Sequence, residues 1–418
     1  MKAKRLITAF AVVMLVLNNN MTIIAQDDSE EYFTISGIVR DSRTKKAVEQ
    51  VNISAVGTNV GTITNADGEF VLKLFESLPV KEIELSSIGY VNAKISISKD
   101  MEQNQTFYIT PQAFLLSEVE VFSWKNPRDL VELALEKVTA NYSMRPNLMT
   151  GFYRETVQKR RSYIHISEAV IQIYKTSYGL NAESDRTQIL KGRKLVSPKK
   201  SDTLNVRFLG GPNMPVYVDI VKNPDMVLSK EFLSFYSYRM GETTTINDRL
   251  QHVVHFQPQV SIEYPLYSGT LYIDRETFAF TRAEFSMDMS YKIKVTNVIL
   301  RAKPLGLRFT PEEVTYVVTY KQQNDKTYLN YIRNEIRFKC DWRRRLFATN
   351  YTIVNETVIT DNDENNVTRI PARNAFSMRQ SLGQEVAAYY DEDFWGAYNI
   401  IEPTESLESA VNRLKRQQ

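Results

Sequence analysis

The sequence predicts a mainly β protein: an N-terminal β-sandwich, a helical connector and a large curved antiparallel sheet with helical trimmings. Short runs rich in β-branched and aromatic residues recur from Thr34 to Phe122, and longer runs recur from Phe152 to Val358. Such runs, separated by turn residues, are typical of strands. The 418 residues also include 23 Tyr and 20 Phe, which favours strands over helices.

These patterns divide the chain into five parts. We assign residues 1–25 to a signal peptide, 32–122 to the sandwich, 123–150 to the helical connector, 151–370 to the antiparallel β domain and 371–418 to an aromatic and helical C-terminal tail. A chain of this length is long enough for two or three domains with cores of their own.

The first 25 residues have the pattern of an export signal. Three basic residues precede the apolar run Ile7–Leu17, and the small residue Ala25 comes directly before Gln26 and an acidic stretch. A basic start, a short apolar run and a small residue at the cleavage point are typical of a secretory signal peptide. A transmembrane anchor is the alternative, but a helix needs about 20 apolar residues to span a bilayer. We therefore expect cleavage near Ala25 and Gln26, leaving a protein that does not itself span the membrane.

The small net charge argues against a nucleic-acid partner. The chain carries 52 basic and 49 acidic residues, and the surplus of three equals the basic residues of the predicted signal peptide. Without that segment the two signs balance, so no strong positive field remains to attract a polyanion. The three basic residues are Lys2, Lys4 and Arg5.

A tight turn is predicted within the sandwich at Asn65-Ala66-Asp67-Gly68. It lies between the strand-like segments Thr62–Thr64 and Glu69–Val71. Asp supplies a side-chain acceptor for such a turn, and Gly adopts the positive φ that it requires.

The segment ISGIVRDSRTKKAVEQVNISAVGTNVGTITNADGEFVLKL, followed by LSSIGYVNAKISI, resembles the carboxypeptidase-like regulatory domain. The resemblance depends on the spacing of Gly37, Gly61-Thr62, Asp67-Gly68-Phe70 and Gly89-Tyr90. It implies a transthyretin-like, seven-stranded β-sandwich that is noncatalytic and often heads exported proteins of the Gram-negative cell envelope. It covers about a fifth of the chain.

A helix is predicted at the start of the connector. Asn126 can cap it, Pro127 suits the first helical position, and Leu130, Ala134 and Val138 form an apolar row. This helix and the following MTGFYRET resemble the linker after the regulatory domain in a group of envelope proteins of unassigned biochemistry.

The β domain is predicted to be a meander of long strands. Gln322–Lys326 supplies a polar turn between two of them. Residues 180–250 are less regular, and we expect them to cover one end or mouth of the sheet. The segment YSGTLYIDRETFAFTRAEF, residues 267–285, resembles a strand-turn-strand of the half-barrels of lipoprotein carriers.

The tail combines an aromatic cluster with a short helix. We expect the cluster to dock the tail onto the sheet, with a partner-binding anchor as the alternative, because aromatic residues dominate both cores and interfaces. One face of the helix is apolar. The aromatic residues are Tyr389, Tyr390, Phe394, Trp395 and Tyr398, and the apolar helix positions are Leu407, Ala410, Val411 and Leu414.

The three histidines are candidate zinc ligands. His165 and Glu168 have the His-x-x-Glu spacing of metallocarboxypeptidase ligands, and His252 or His255 could add a third ligand. However, the surrounding RSYIHISEAVIQIY reads as a strand, in which positions i and i+3 face opposite ways. We therefore predict no metal, no cofactor and no catalytic residue.

Three further features have a functional and a structural interpretation. Cys340 lies on the same side of a period-2 pattern as Ile336 and Phe338, which favours a buried core residue over a reactive thiol. Arg343-Arg344-Arg345 could touch phosphate-bearing lipid or polysaccharide, although basic runs are normally solvated turns. Thr203, in Asp202-Thr203-Leu204, resembles an acceptor for O-glycosylation in some Gram-negative envelopes.

From the residues and the resemblance we expect a noncatalytic exported envelope protein. It would bind or scaffold an envelope protein, glycan or lipid in the periplasm or on the periplasmic face of the outer membrane. The alternative is a periplasmic carrier that shelters a lipid or other apolar ligand in its curved sheet. A zinc-dependent peptidase is the third hypothesis. A large apolar cavity would favour the carrier, and a filled sheet interior would favour the scaffold.

Overall fold

The structure is a computed structural model that describes residues 31–112, 124–202, 204, 206–208, 211–342, 347–377, 380–388 and 394–417. The predicted signal peptide, with its cleavage point at Ala25 and Gln26, lies outside these residues, as do Thr203 and Arg343–Arg345. Of the helices in these ranges, none combines the length and apolar composition needed to cross a bilayer. The fold is mainly β, as predicted.

The N-terminal part is a sandwich of two four-stranded sheets, with strand orders β4-β1-β8-β6 and β3-β2-β5-β7. Its apolar residues alternate along the strands and pack between the sheets around Val39, Ile53 and Leu72. It has eight strands rather than seven, because the stretch after Gly89 divides into two short strands that join different sheets. The strands are β1 Tyr32–Asp41, β2 Asn52–Ala55, β3 Gly61–Ile63, β4 Glu69–Phe75, β5 Glu82–Ser86, β6 Tyr90–Val91, β7 Ala93–Ser96 and β8 Gln105–Pro111.

Two helices follow, α1 (Pro127–Glu136) and α2 (Val138–Asn141). The predicted helix start is confirmed: the Asn126 side chain accepts a hydrogen bond from the backbone N–H of Arg128, and Pro127 occupies the first turn. Leu130, Val131 and Ala134 are buried in the hydrophobic core of the large sheet that forms the rest of the chain.

The rest of the chain is built on a twelve-stranded sheet that curls into a half-barrel and is antiparallel except for the parallel pair β11–β22 at one edge. Its strand order is β13-β15-β16-β17-β19-β20-β21-β9-β10-β11-β22, with β14 paired to β15. The short strands β12 and β18 form a separate pair. The strands are β9 Asn147–Lys159, β10 Ser162–Lys175, β11 Arg186–Val196, β12 Arg207–Phe208, β13 Tyr236–Met240, β14 Thr244–Ile246, β15 Arg249–Pro258, β16 Tyr267–Asp274, β17 Phe280–Met287, β18 Leu300–Ala302, β19 Leu307–Gln323, β20 Lys326–Trp342, β21 Thr349–Asp363 and β22 Ala387–Ala388.

The predicted hairpin between β19 and β20 is confirmed. Asn324 and Asp325 have φ values of 46° and 62°, the positive values that a two-residue hairpin turn needs. The region 180–250, which was expected to be irregular, instead contains a full strand, β11. In β11 the alternation of apolar and polar residues that is typical of a strand is interrupted by Lys191, Arg193 and Lys194. The charges of these residues have partners only in the folded chain.

The two faces of the sheet are covered by different parts of the chain. We call the face that carries Val254, Leu271 and Ile336 the inner face; residues 211–235 and a helix fill most of it with apolar side chains. The opposite, outer face meets the sandwich and the tail. The remaining helices are α3 Met214–Tyr217, α4 Lys292–Ile299, α5 Leu382–Glu385 and α6 Glu405–Lys415.

The docking of the tail onto the sheet is confirmed for its described residues. Trp395 is buried edge-to-face against Phe152, with ring centroids 5.3 Å apart. The apolar face of α6 packs on Ile166 and Leu195 of the sheet. Tyr389 and Tyr390 lie outside the described residues.

The tail also joins the sandwich to the sheet. The Asn399 side chain accepts from the backbone N–H of Lys73 at 2.7 Å and donates to its carbonyl at 3.0 Å, as a neighbouring strand would. The Thr62 hydroxyl donates to the carbonyl of Ile400. On the sheet side, the Lys321 ammonium donates to the carbonyl of Asn59.

Because Lys321 is buried at the junction between sheet and sandwich, we expect the stability of the protein to depend on pH. Burial lowers the pKa of Lys321 from 10.5 to about 8, against the opposing effect of Asp361. Between these two values the unfolded chain binds more protons than the folded one, so stability rises with pH. We expect the free energy of unfolding to rise from about pH 7 to about pH 9, and to rise less in Lys321→Met. Urea titrations would measure it, with the half-buried Lys326→Met as control; equal slopes in wild type and Lys321→Met would contradict the assignment.

Candidate functional site: an apolar groove on the inner face

One part of the inner face is not filled. A groove of about 330 Å³ remains between the sheet, residues 214–226 and α4, within the range of about 300–1,000 Å³ usual for small-molecule sites. Its lining is mainly apolar and aromatic. The lining residues are Met214, Tyr217, Val218, Asn223, Asp225, Met226, Tyr267, Met287, Val298, Ile299, Tyr316, Asn334 and Ile336.

The wall formed by residues 214–226 has no strand partners of its own. Pro215 is the second residue of one short helical turn and Pro224 the first of another, since proline suits the first turn of a helix and cannot extend a sheet ladder. Val216 and Val218 are buried against the sheet. The position of this wall therefore depends on side-chain contacts.

A buried ionic network anchors the wall to the sheet. The Asp219 carboxylate forms an ion pair with the Lys175 ammonium at 2.7 Å and accepts hydrogen bonds from the hydroxyls of Tyr178 and Tyr320 at 3.0 and 2.8 Å. The Lys222 ammonium donates to the hydroxyl and carbonyl of Thr176 at the end of β10. Because Lys175 and Asp219 are 0% exposed, each charge depends on the others for compensation.

The same burial perturbs the titration of the network. Burial lowers the pKa of Lys222 to about 8, although the nearby Asp185 acts in the opposite direction. Burial, reinforced by the charge of Asp219, raises the pKa of Tyr178 and of Tyr320 well above the ordinary value. Both phenols therefore remain neutral donors at ordinary pH.

The floor of the groove carries a short chain of buried amides. The Asn355 side chain donates to Asn334 at 3.3 Å and accepts from the Tyr153 hydroxyl at 3.0 Å. Asp225 is exposed at the groove. The lining thus offers apolar area with a few amide and hydroxyl groups, an arrangement suited to binding a mainly apolar molecule.

The outer face carries a ladder of ion pairs, which also lines a polar pocket of about 290 Å³ between the sheet and the tail. Arg333 lies between Glu335 at 2.8 Å and Glu356 at 3.1 Å. Further along, Glu168 is held between Arg154 at 2.7 Å and Arg193 at 2.5 Å. Burial alone would raise the pKa of Glu168, but the two guanidinium groups outweigh it and lower that pKa. The Glu168 carboxylate is therefore charged, and its role in the ladder is structural.

The residues considered for zinc are separated. The ring of His165 contacts the Ser167 hydroxyl, whereas Glu168 faces the opposite way into its two arginines, as the strand parity predicted. His252 stacks on Phe278, and His255 bonds to Thr270. In the part of the chain that the structure describes, no group of three or more His, Cys, Asp or Glu residues could hold a metal ion.

The remaining candidates are placed as follows. Cys340 is 5% exposed, and burial raises the pKa of its thiol to about 11, so the prediction of a core residue is confirmed. Asp202 pairs with Lys159 at 3.0 Å, whereas Thr203 beside it is outside the described residues, as is the Arg343–Arg345 cluster.

Sequence reasoning missed both the groove and the network that holds its wall. The available signal was Asp219 inside the apolar run Met214–Val221 and Lys222 directly after it, because charged residues are rarely buried unless paired. Their partner Lys175 comes from the end of a distant strand, and no periodic pattern connects the two.

Comparison with known families identifies the sandwich. Residues 35–121 match the CarboxypepD_reg-like domain, which confirms the resemblance of the N-terminal segment. The match covers about a fifth of the chain. A comparison with curated proteins gives no match.

Two solved structures show distant similarity. A DUF1329 family protein from Desulfovibrio piger has 8% sequence identity, with 58% of this chain and 92% of that protein covered and a TM-score of 0.24. A protein of unknown function from Bacteroides fragilis has 7% identity, with 79% and 98% covered and a TM-score of 0.16. At these TM-scores neither similarity bears on function.

Proposed function

We propose that the protein is a noncatalytic, exported binding protein of the cell envelope that takes an apolar chain, such as a lipid acyl group, into the groove. The observation that carries this proposal is the apolar groove itself, on an inner face that is otherwise filled. The signal-like first 25 residues and the regulatory-type sandwich support export, and a periplasmic location or the periplasmic face of the outer membrane would follow.

The groove favours a carrier over a scaffold. A carrier needs unfilled apolar space, and Met287, Tyr316 and Ile336 provide it on the sheet side. Each methylene removed from water contributes about 0.8 kcal/mol, so even a partly inserted acyl chain gains appreciable affinity. A scaffold is the second candidate, because buried contacts at Trp395 and Asn399 hold sandwich, tail and sheet together.

Binding of a fluorescent acyl-chain probe in solution tests the first role. We expect saturable binding to wild type and at least about tenfold weaker binding to Val298→Asp, because this change places a carboxylate in the apolar lining. Val298 and Val260 are similarly exposed, at 40% and 41%, but only Val298 lines the groove. Val260→Asp is therefore the matched control and should bind as wild type does.

Two results would count against the acyl-binding role: absence of saturable binding, or equal loss in both variants. Mass spectrometry of lipids and proteins that co-purify from envelope fractions then decides between the candidates. Recovery of lipid supports the carrier and stoichiometric recovery of a protein supports the scaffold. Recovery of neither contradicts both.

A further inference from the structure

One end of the large sheet collects five connections, and we call this end the rim. The rim comprises residues 160–161, 197–202, 259–266, 288–306 and 347–348. The registers that place them at one end are Phe256 with Gly269, Tyr267 with Met287, Leu307 with Trp342, Cys340 with Thr349, Tyr351 with Lys159 and His165 with Val196. The sandwich contacts the opposite end, where the Gly89 N–H donates to the carbonyl of Thr245.

The rim exposes large apolar side chains. Leu305 is 100% exposed, and Ile293 and Phe347 are each 79% exposed. Tyr291 and Tyr264 add aromatic surface in the same connections. Scattered apolar residues are ordinary on a protein surface, but a group concentrated at one end marks an interaction site.

The same connections are strongly basic. Seven of their exposed described residues are basic, whereas Glu263 is the one exposed acid among them. The whole chain is nearly balanced, with 52 basic and 49 acidic residues, so this asymmetry is local. The seven residues are Arg160, Arg161, Lys199, Lys200, Lys292, Arg301 and Lys303.

The groove lies next to the rim. Val298 of α4 belongs both to a rim connection and to the groove lining. Tyr267 and Met287, which also line the groove, are the residues at the rim ends of β16 and β17. A chain leaving the groove beside α4 would therefore emerge among exposed apolar and basic side chains.

We propose that the rim docks on a lipid bilayer with anionic headgroups. Leu305, Phe347 and Ile293 enter the headgroup–acyl boundary, and the surrounding lysines and arginines contact phosphate groups, a combination typical of interfacial membrane binding. Charge complementarity favours the anionic bilayer over a neutral one. The purpose of docking, exchange of an apolar chain with the bilayer, depends on the proposed function, whereas docking itself does not.

Co-sedimentation of the full chain with vesicles tests the proposal. We expect binding to phosphatidylcholine vesicles containing about 30 mol% phosphatidylglycerol, at least tenfold weaker binding to pure phosphatidylcholine, and weakening by salt. The double variants Leu305→Asp/Phe347→Asp and Arg160→Glu/Arg161→Glu should each bind at least about tenfold more weakly, since each removes one of the two contributions.

Matched controls lie away from the rim. Leu180 is 59% exposed at the opposite end of the sheet, and Lys46 and Lys81 are exposed on the sandwich. Leu180→Asp and Lys46→Glu/Lys81→Glu should bind vesicles as wild type does. Docking is refuted if wild type does not sediment with the anionic vesicles, if the rim and control variants behave alike, or if soluble polyphosphate binds the rim while vesicles do not.

The acyl-probe assay without vesicles separates this proposal from the previous one. The rim variants should retain the probe affinity of wild type. If wild type binds vesicles but not the probe, docking stands and the acyl-binding function falls. If it binds the probe but not vesicles, the reverse holds.

Discussion

Asp219→Ala is expected to destabilise the protein by about 3–5 kcal/mol, the usual cost of breaking a buried ion pair by removing one partner. The Asp219 carboxylate is the closest counter-charge of Lys175, and the ammonium is fully buried. Asp185 lies 3.9 Å from that ammonium, which is too far for a hydrogen bond. The variant would also leave the hydroxyls of Tyr178 and Tyr320 without their acceptor.

Urea unfolding of three variants would separate charge from hydrogen bonding. Asp219→Asn keeps an acceptor but not the charge, so it should also be clearly destabilised because Lys175 remains uncompensated. Asp202→Ala removes a partly exposed pair with Lys159 and should change stability by less than about 1 kcal/mol. If Asp219→Ala proves as mild as Asp202→Ala, the network does not hold the wall of the groove.

Trp395→Ala is expected to cost about 3–5 kcal/mol, as large-to-small changes of buried aromatic residues usually do. Trp395 is 4% exposed, packs on Phe152, and has the Arg193 guanidinium 4.8 Å from its ring centroid. Removing it opens a cavity where tail, sheet and the Ile63 side of the sandwich meet. Limited proteolysis should then release the tail faster.

Trp395→Phe is the informative companion. Among the residues that the structure describes, none accepts a hydrogen bond from the buried indole N–H of Trp395, and such an unpaired group costs about 1–3 kcal/mol. Phenylalanine keeps most of the apolar contact and removes this donor, so the change should cost less than half as much as Trp395→Ala. Equal destabilisation by both changes, or a tail equally protected from protease in all three proteins, would show that the ring does not anchor the tail.

Period-2 patterns were most reliable where one face of a strand is charged and the other is apolar. Along β20, Ile332, Ile336 and Cys340 are buried, and Arg333 and Glu335 lie on the other side in the ion-pair ladder. Period-2 patterning did not predict strand β11. Its Arg193 is compensated by Glu168 and packs on Trp395, and both partners are distant in sequence.

Within four residues, the turn at Asn65–Gly68 combines local contacts that the sequence predicts with a long-range contact that only the tertiary structure reveals. Local chemistry dictates the turn: Gly68 has φ of 78°, and the Asn65 side chain accepts from the N–H of Asp67 and of Glu69. The Asp67 carboxylate, expected to serve the turn, instead accepts from the backbone N–H of Glu405 at the start of α6. No short-range pattern could assign that partner.

The sequence by itself determined the mainly β class, the regulatory-type sandwich, the connector helix, the β19–β20 hairpin and the burial of Cys340. All of these follow from periodicity, turn chemistry or a local motif, which act over a few residues. The tertiary structure alone decided the groove, the ionic network behind its wall and the rim. Each of these arises where charges or apolar surfaces from distant segments meet, because burial and Coulomb attraction depend on spatial proximity rather than on separation along the chain.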